Sequence, residues 1–218
     1  MIKAFVFDLD GTLLNTIDTI SYYLNRTLTR HNIEPLSTEE CKRFVGSGAR
    51  LLVERALRYR GIEDADMTEK LLSEYRPDYD SDPYYLTTVY PGISELIDSL
   101  IARGIRVAVI SNKPDTATKM AVKYFFGDRF TLCRGAIDGL PLKPSGEAIG
   151  DMPELLGCDV DEICYVGDSD VDVRFAKAFG AGKCVAVLWG FRNKDELAAA
   201  GAEVFAECAA DIESKILP

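Results

Sequence analysis

The first predicted strand of this chain ends on two carboxylates. Residues 4–7 form a short apolar run rich in β-favouring side chains, which predicts a buried strand. Asp8 and Asp10 follow it directly, and Gly11 comes next. Acids that only cap a turn are one explanation for an Asp-x-Asp taken alone. The others are a bound cation or a nucleophilic carboxylate, because uncompensated buried charge is costly and ligands bind at the carboxyl ends of parallel strands.

The segment between residues 15 and 85 has a helical pattern. Its apolar spacing predicts four helices, over about 17–30, 38–45, 51–60 and 66–76. A capping box, Ser37-Thr38-Glu39-Glu40, marks the start of the second helix, and Pro77 is expected to disturb the fourth. We therefore expect an all-helical domain inserted after the first strand.

From residue 86 onward, strand and helix patterns alternate, which is typical of a parallel sheet. Predicted strands lie at about 105–110, 130–133, 163–166 and 184–188. The predicted fold class is therefore α/β, with a Rossmann-like parallel sheet as the core. The predicted domains are a core formed by residues 1–14 and 86–218 and a helical insert formed by residues 15–85.

Composition limits the partners and the compartment. The formal net charge is −10 at pH 7, which argues against nucleic acid or an anionic membrane surface as a partner. No apolar run approaches the roughly 18 residues that span a bilayer. The six cysteines are scattered, without a Cys-x-x-Cys pair, so neither a disulfide framework nor a zinc site is indicated. Met1 leads almost directly into the first strand, so we expect no signal peptide and a cytoplasmic location. The expected oligomeric state is a monomer or a homodimer.

The string Asp8-Leu9-Asp10-Gly11-Thr12-Leu13 closely resembles the first motif of the haloacid dehalogenase superfamily of phosphatases. Three further motifs should then follow in order. Ser111, after a predicted strand, resembles the second motif, and Lys143 before Pro144 resembles the third. Gly167-Asp168-Ser169-Asp170-Val171-Asp172 resembles the fourth. The resemblance covers the whole predicted core, and it implies that all four motifs meet at one edge of the sheet.

The resemblance implies a role for each polar group. Asp8 would be the nucleophile and form an aspartyl-phosphate intermediate. Asp10 would protonate the leaving alcohol and then deprotonate the attacking water. Asp8 is expected to be held ionised by a metal and Lys143, and Asp10 to be kept protonated by acidic neighbours. Ser111 and the amide of Asn112 would bind phosphate oxygens, and Lys143 would neutralise charge on the nucleophile and the phosphate.

The same resemblance implies a Mg²⁺ cofactor. The side chains of Asp8 and Asp168, with the carbonyl of Asp10, would supply the oxygen ligands that Mg²⁺ prefers. Asp172 and Ser169 would support these ligands, with Asp172 orienting a metal-bound water or Lys143. Lys143 is the only obvious cation near these acids.

The reaction type follows from Asp10 and the helical insert. Dehalogenases of the superfamily attack carbon and lack this second aspartate, so Asp10 favours phosphate ester chemistry. A phospho-receiver switch domain also places an aspartate, a lysine and a hydroxyl at a sheet edge. Such domains are shorter, however, and have no helical insert after the first strand. The resemblance therefore implies a Mg²⁺-dependent phosphomonoester hydrolase that acts on a small phosphorylated metabolite.

The insert resembles the helical (C1-type) cap of phosphoglycolate phosphatases and their close relatives, most clearly over Phe44–Leu57. The expected substrate is accordingly 2-phosphoglycolate. Relatives with this architecture hydrolyse pyrophosphate, sugar phosphates or nucleotides, or act as phosphomutases, and these alternatives stay open.

The turn Gly46-Ser47-Gly48 lies between two predicted helices of the insert. Its backbone amides could approach a small anion at a helix start. Arg50, with Lys42 and Arg43, flanks the turn and would meet a substrate carboxylate. The alternative is a plain interhelical turn with its basic side chains in solvent.

Overall fold

The computed structural model describes residues 1–217. In chain order its elements are β1 (Ala4–Phe7), β2 (Leu14–Asn15), α1 (Ile17–Arg30), α2 (Thr38–Lys42), α3 (Ala49–Tyr59), α4 (Ala65–Ser81), β3 (Thr88–Val89), α5 (Ile93–Ala102), β4 (Arg106–Pro114), α6 (Asp115–Phe126), β5 (Leu132–Ala136), α7 (Met152–Leu156), β6 (Ile163–Gly167), α8 (Asp170–Phe179), β7 (Lys183–Val187), α9 (Lys194–Ala200), β8 (Val204–Ala206) and α10 (Ala209–Ile216). Two short 3₁₀ turns, at Gly146–Ile149 and Val160–Glu162, precede α7 and β6.

Six of the strands form one parallel sheet in the order β5-β4-β1-β6-β7-β8. β1 lies inside this sheet, where Ala4 pairs with Arg106 of β4 on one side and with Ile163 of β6 on the other. Every residue of β1 is fully buried, because helices cover both faces, as is usual for a parallel strand with a continuous apolar sequence. The predicted α/β fold class with a parallel-sheet core is confirmed.

Successive residues of β1 point to opposite faces of the sheet and join two apolar clusters. Phe5 and Phe7 pack on one face against α5, α6 and α10. Ala4 and Val6 pack on the other face against α7 and α8. Dense packing on both faces fixes the carboxyl end of β1, where Asp8 follows.

Helices α1–α4 lie between the short strands β2 and β3. These strands pair antiparallel, with Leu14 opposite Val89, so the chain leaves the sheet and returns to it at one place. The four helices share an apolar cluster of their own, which includes Leu24, Leu57 and Tyr75. The sequence pattern does not predict the β2–β3 ribbon, because two residues are too few to show a period.

Helix α4 continues to Ser81, so the predicted disturbance at Pro77 is wrong. Pro77 is exposed, whereas Tyr75 and Tyr79 on either side of it are buried, with ring centroids 5.7 Å apart. Packing of these rings offsets the free-energy cost of the backbone hydrogen bond that Pro77 cannot donate. The extension matters for the site, since it carries Tyr79 into contact with Lys113 of β4.

Among residues 1–217, no helix combines the length and the apolar character that crossing a bilayer requires. The longest helix, α4, has 17 residues and includes charged side chains.

Candidate active site

Three neighbouring strands bring polar side chains to one edge of the sheet. Asp8 follows β1, Ser111 lies in the last part of β4, and Asp168 follows β6. β4 and β6 flank β1, and the amide of Asp8 donates to the carbonyl of Val166 (2.9 Å). Lys143, from the segment between β5 and α7, completes the group by contacting Asp8. The structure thus brings one residue of each of the four motifs together.

Three buried carboxylates form a cluster at this edge. Carboxylate oxygens of Asp8, Asp168 and Asp172 lie within 4.8 Å of one another, and the three residues are at most 8% exposed. Lys143 contacts Asp8 and Asp172, so three negative charges face one positive charge. The two charges left over, carried by buried oxygens, fit a divalent cation that prefers oxygen ligands, such as Mg²⁺.

Burial shifts two acids of this cluster in the same direction. Burial, opposed by the charge of Lys143, raises the pKa of Asp8 to about 7. Burial, together with the charges of Asp172 and Asp8, raises the pKa of Asp168 well above its ordinary range. Both shifts express the cost of a charged carboxylate without sufficient counter-charge. A cation bound here would remove that cost, which is a second reason why these residues fit a metal.

The backbone closes tightly around Asp168. A Cβ on Gly11 would lie 2.3 Å from Asp168 Oδ2, and a Cβ on Gly190 would lie 2.2 Å from Asp168 Cβ. The amide of Phe191 donates to Oδ2 (2.7 Å) and the hydroxyl of Thr12 donates to Oδ1 (3.4 Å). Only glycine fits at positions 11 and 190 without displacing the carboxylate, so Asp168 is held in one orientation.

Lys143 uses all three of its ammonium donors inside the protein. Its Nζ donates to Asp8 Oδ1 (2.7 Å), Asp172 Oδ1 (2.8 Å) and the Tyr165 hydroxyl (2.9 Å). Tyr165 in turn donates to Asp172 Oδ1 (2.7 Å). Burial acts to lower the pKa of Lys143, but the charges of Asp172 and Asp8 raise it above its ordinary value. The ammonium therefore stays charged and is fixed beside Asp8.

Both oxygens of Asp172 already have protein donors. Oδ1 accepts from Lys143 and Tyr165, and Oδ2 accepts from the hydroxyl (2.5 Å) and the amide (3.1 Å) of Ser169. Ser169 is the N-cap of α8 and forms a capping box with Asp172. Burial acts to raise the pKa of Asp172, but Lys143 and the hydrogen bonds outweigh it and lower the pKa. Asp172 and Ser169 thus hold Lys143 in place, one of the two roles expected for Asp172.

The side-chain amide of Asn112 is engaged inside the protein. Its Oδ1 accepts from the amide of Lys143 (2.9 Å), and its Nδ2 donates to the carbonyls of Lys143 (2.8 Å) and Gly46 (3.1 Å). Asn112 therefore joins the segment that carries Lys143 to the turn before α3. A contact from Asn112 to phosphate would have to come from its main-chain amide.

Asp10 has a cation beside it, contrary to the prediction. Lys113 Nζ lies 3.1 Å and 3.3 Å from the two carboxylate oxygens of Asp10 and also contacts the hydroxyl of Tyr79. The expectation that Lys143 is the only obvious cation near these acids is therefore wrong. The reason is that β4 extends to Pro114 and carries Lys113 to the sheet edge beside Ser111.

A cavity of about 70 Å³ separates the sheet edge from the helical insert. Asp8, Asp10 and the residues from Ser111 to Pro114 line it from the sheet. From the insert it is lined by Ile20, Val45, Gly46, Gly48, Ala49, Leu52, Tyr75, Arg76, Tyr79 and Asp80. The cavity is small, because each water molecule takes up about 10–15 Å³ of such a space and only a few would fit. Asp8, Asp10 and Ser111 thus face the insert across a compact chamber.

This combination of motifs and fold has known relatives. A family model described as haloacid dehalogenase-like hydrolase matches residues 5–187. The chain belongs to this hydrolase family. A phosphoglycolate phosphatase of Rhodospirillum rubrum is 35% identical over 208 residues, which cover 93% of this chain and 86% of that protein. A phosphoglycolate phosphatase of Pseudomonas putida is 32% identical over 197 residues, 88% of this chain and 71% of that protein.

A solved structure agrees with this assignment. The crystal structure of a protein from Lactobacillus delbrueckii subsp. bulgaricus, assigned as a phosphoglycolate phosphatase, superposes on this hydrolase with a TM-score of 0.94 at 30% identity. The match covers 99% of this chain and 98% of that one. The predicted superfamily and the predicted enzyme class, a phosphatase, are confirmed by these relatives.

The predicted site residues of the insert differ in whether they line the cavity. Gly46 and Gly48 line the cavity. Ser47 lies outside it and accepts from Arg55 of α3 (3.1 Å). Arg50 does not reach the cavity either, because its guanidinium forms an ion pair with Glu69 of α4 and its side chain is 55% exposed.

The two flanking cations of the turn are not among the residues that line the cavity either. Lys42 pairs with Glu39 (2.6 Å) on its own helix, and Arg43 is exposed. The expected meeting of Arg50, Lys42 or Arg43 with the site across the turn is therefore not what the structure shows.

Two side chains of the site carried no role in the sequence analysis. Lys113 follows Ser111 by two residues, and residues two apart share a side of an extended strand, so the strand pattern could have indicated it. Tyr165 is the one hydroxyl-bearing residue of the otherwise apolar run 163–166. A buried hydroxyl needs a hydrogen-bond partner, which is the reason to look for a polar contact there.

Proposed function

We propose that this phosphatase hydrolyses 2-phosphoglycolate with Mg²⁺, through an aspartyl-phosphate formed on Asp8. The observation that carries the proposal is the buried cluster of Asp8, Asp168 and Asp172 with Lys143, of which Asp8 lines a small cavity. The relatives at 32–35% identity that bear the name phosphoglycolate phosphatase support this choice of substrate.

Asp8 and Asp168, with the carbonyl of Asp10, would hold Mg²⁺. When bound, the ion supplies positive charge to the phosphoryl group as it is transferred. Asp172 is a poorer ligand, because both of its oxygens already accept hydrogen bonds from Lys143, Tyr165 and Ser169. This division of roles leaves Asp8 as both ligand and nucleophile.

The protein groups would carry the reaction in two steps. A carboxylate oxygen of Asp8 attacks phosphorus, the bond from phosphorus to the leaving oxygen breaks, and Asp10 gives that oxygen its proton. Asp10 then takes a proton from water, which attacks the aspartyl-phosphate and releases phosphate and free Asp8. Lys143, hydrogen-bonded to Asp8 Oδ1, keeps the nucleophile in one orientation, and Ser111 lies where it can bind a phosphate oxygen.

The insert at residues 15–85 would act as the cap that excludes water from this chemistry. Two contacts from the sheet support that role. Asn112 donates to the carbonyl of Gly46 (3.1 Å), and the guanidinium of Arg192, after β7, donates to the carbonyls of Lys42 (2.6 Å) and Val45 (2.8 Å). They hold the Gly46-Ser47-Gly48 turn over the site.

Phosphate release from a panel of substrates tests the function. The panel contains 2-phosphoglycolate, pyrophosphate, glucose 6-phosphate and a nucleoside monophosphate, each assayed with Mg²⁺ and with EDTA. We expect the highest kcat/KM for 2-phosphoglycolate, and loss of activity in EDTA that Mg²⁺ restores. A higher kcat/KM for another member would contradict the substrate, and full activity after exhaustive chelation would contradict the metal.

A further inference from the structure

The carboxylate of phosphoglycolate needs a cation inside the cavity. Two of the described residues that line the cavity are cationic, Arg76 of α4 and Lys113 of β4. Arg76 is exposed, where an ion contact contributes little. The side chain of Lys113 is only 4% exposed, so a contact from its ammonium would be desolvated and strong. Arg50 of the insert is outside the cavity and paired with Glu69.

We propose that Lys113 binds the carboxylate on the substrate's leaving group and so selects phosphoglycolate over esters that lack this charge. The inference rests on the function proposed above. Asp10 has to reach the leaving oxygen in order to protonate it. Lys113 contacts both oxygens of Asp10 and therefore lies beside the leaving group. In phosphoglycolate the carboxylate is attached to the carbon that carries this oxygen, so the ammonium can exchange one carboxylate for the other within the cavity.

The surroundings of Lys113 keep its ammonium at this position. The hydroxyl of Tyr79 contacts Nζ, and the Tyr79 ring centroid lies 4.5 Å from it. The main chain is anchored as well, because the amide of Lys113 donates to Ser111 Oγ (3.2 Å) and its carbonyl accepts from Thr118 (3.1 Å). Of the contacts that the Lys113 ammonium makes with the described residues, the one to Asp10 is the contact to a side chain that has to act on the substrate.

The exchange explains why an uncharged leaving group would react poorly. With a substrate carboxylate present, the buried ammonium keeps an anionic partner when Asp10, in its acid form, turns to the leaving oxygen. Without that carboxylate, the pair between Lys113 and Asp10 has to break uncompensated before Asp10 can turn to the leaving oxygen, and an unpaired buried charge is costly. Lys113 would thus couple recognition of the leaving group to release of Asp10.

Two substrates of nearly the same shape isolate this contact. 2-Hydroxyethyl phosphate carries an uncharged CH₂OH group where 2-phosphoglycolate carries its carboxylate. The measured quantity is the ratio of kcat/KM for phosphoglycolate to kcat/KM for 2-hydroxyethyl phosphate. We expect Lys113→Met, which keeps the length of the side chain and removes its charge, to lower this ratio roughly ten- to a hundred-fold. Lys113→Arg, which keeps a cation, should restore most of it.

Arg76→Met is the matched control, since it removes the exposed cation of the same cavity. It should change the ratio by less than about twofold. The proposal is overturned if the ratio in Lys113→Met equals that of the wild type, or if it falls only in Arg76→Met. It is also overturned if kcat falls alike for both substrates, because that result means Lys113 only holds Asp10.

Two further measurements keep the test decisive. Circular dichroism checks folding, and Lys113→Gln replaces Lys113→Met if the latter does not fold. A wild-type enzyme that hydrolyses phosphoglycolate no better than 2-hydroxyethyl phosphate also overturns the assignment of Lys113. A wild-type enzyme that does not hydrolyse phosphoglycolate at all refutes the proposed function instead.

Discussion

Replacing Tyr165 by phenylalanine should weaken both the fold and the catalysis, because one hydroxyl serves two charged partners. The Tyr165 hydroxyl accepts from Lys143 Nζ (2.9 Å) and donates to Asp172 Oδ1 (2.7 Å), and the residue is fully buried. Phenylalanine keeps the ring, including its edge-on contact with Phe175 at 5.1 Å between centroids. The substitution therefore removes two hydrogen bonds and almost nothing else.

The size of the effect follows from those two bonds. A buried group that loses its partner costs about 1–3 kcal/mol. Asp172 and Lys143 each keep other partners, so we expect a loss of about 2 kcal/mol in the free energy of unfolding. For a chain of this length that corresponds to about 4–8 °C in Tm. The ammonium of Lys143 would also be less well fixed beside Asp8. We therefore expect kcat to fall about tenfold, which corresponds to about 1.4 kcal/mol in the activation barrier.

The assay combines urea unfolding with steady-state kinetics, and Tyr124→Phe is the matched control. Tyr124 is 65% exposed and stacks on Tyr84 with ring centroids 4.3 Å apart, so it undergoes the same chemical change in solvent. We expect Tyr124→Phe to resemble the wild type. If Tyr165→Phe is as stable and as active as Tyr124→Phe, the network around Lys143 does not work as described.

Three other outcomes are expected. Asp8→Asn should keep the fold and lose essentially all turnover, and a kcat above about a tenth of the wild-type value would refute the covalent role. Because burial raises the pKa of Asp8 to about 7 from its ordinary 3.8, its protonated form stabilises the metal-free fold at low pH, and this contribution is lost as the pH rises through about 7. Tm in EDTA should therefore fall as the pH rises from about 4 to 7, and Mg²⁺ should reverse the fall; a flat profile would count against it. Gly190→Ala would place a Cβ 2.2 Å from Asp168 Cβ, so Mg²⁺ affinity, measured by calorimetry, should drop about 10–100-fold, and an unchanged affinity would show that the site tolerates the change.

The sequence predicts the sheet and the central acids well, since local patterns determine both. β1 is a continuous apolar run, and the strand is buried on both faces. Asp8 and Asp10 directly follow it in the chain, and their place at the sheet edge needs no knowledge of distant contacts. Lys143 and Asp168 belong to motifs whose order along the chain matches the superfamily, so a resemblance was enough to find them.

The contacts of charged side chains are less predictable, because they depend on which elements pack together. Arg50 and Lys113 are both cationic residues, and the sequence does not indicate that their contacts differ. In the structure, Arg50 pairs with Glu69 on the neighbouring helix and Lys113 is buried against Asp10. That difference arises from the packing of α3 on α4 and from the length of β4. Neither is encoded in the spacing of apolar residues. Pro77 fails as a predictor for the same reason, since packing of α4 overrides a local preference.

The loop after β7 shows how sheet order creates functional contacts that no local pattern indicates. In this loop the amide of Phe191 donates to Asp168 (2.7 Å), and the next residue, Arg192, donates to the carbonyls of Lys42 and Val45 in the insert. Two adjacent residues thus touch the buried acid cluster and the helices above it. β7 pairs with β6, and this pairing alone brings its carboxyl end beside Asp168. Since strand order depends on contacts between distant parts of the chain, the loop becomes recognisable as part of the site only once the sheet is assembled.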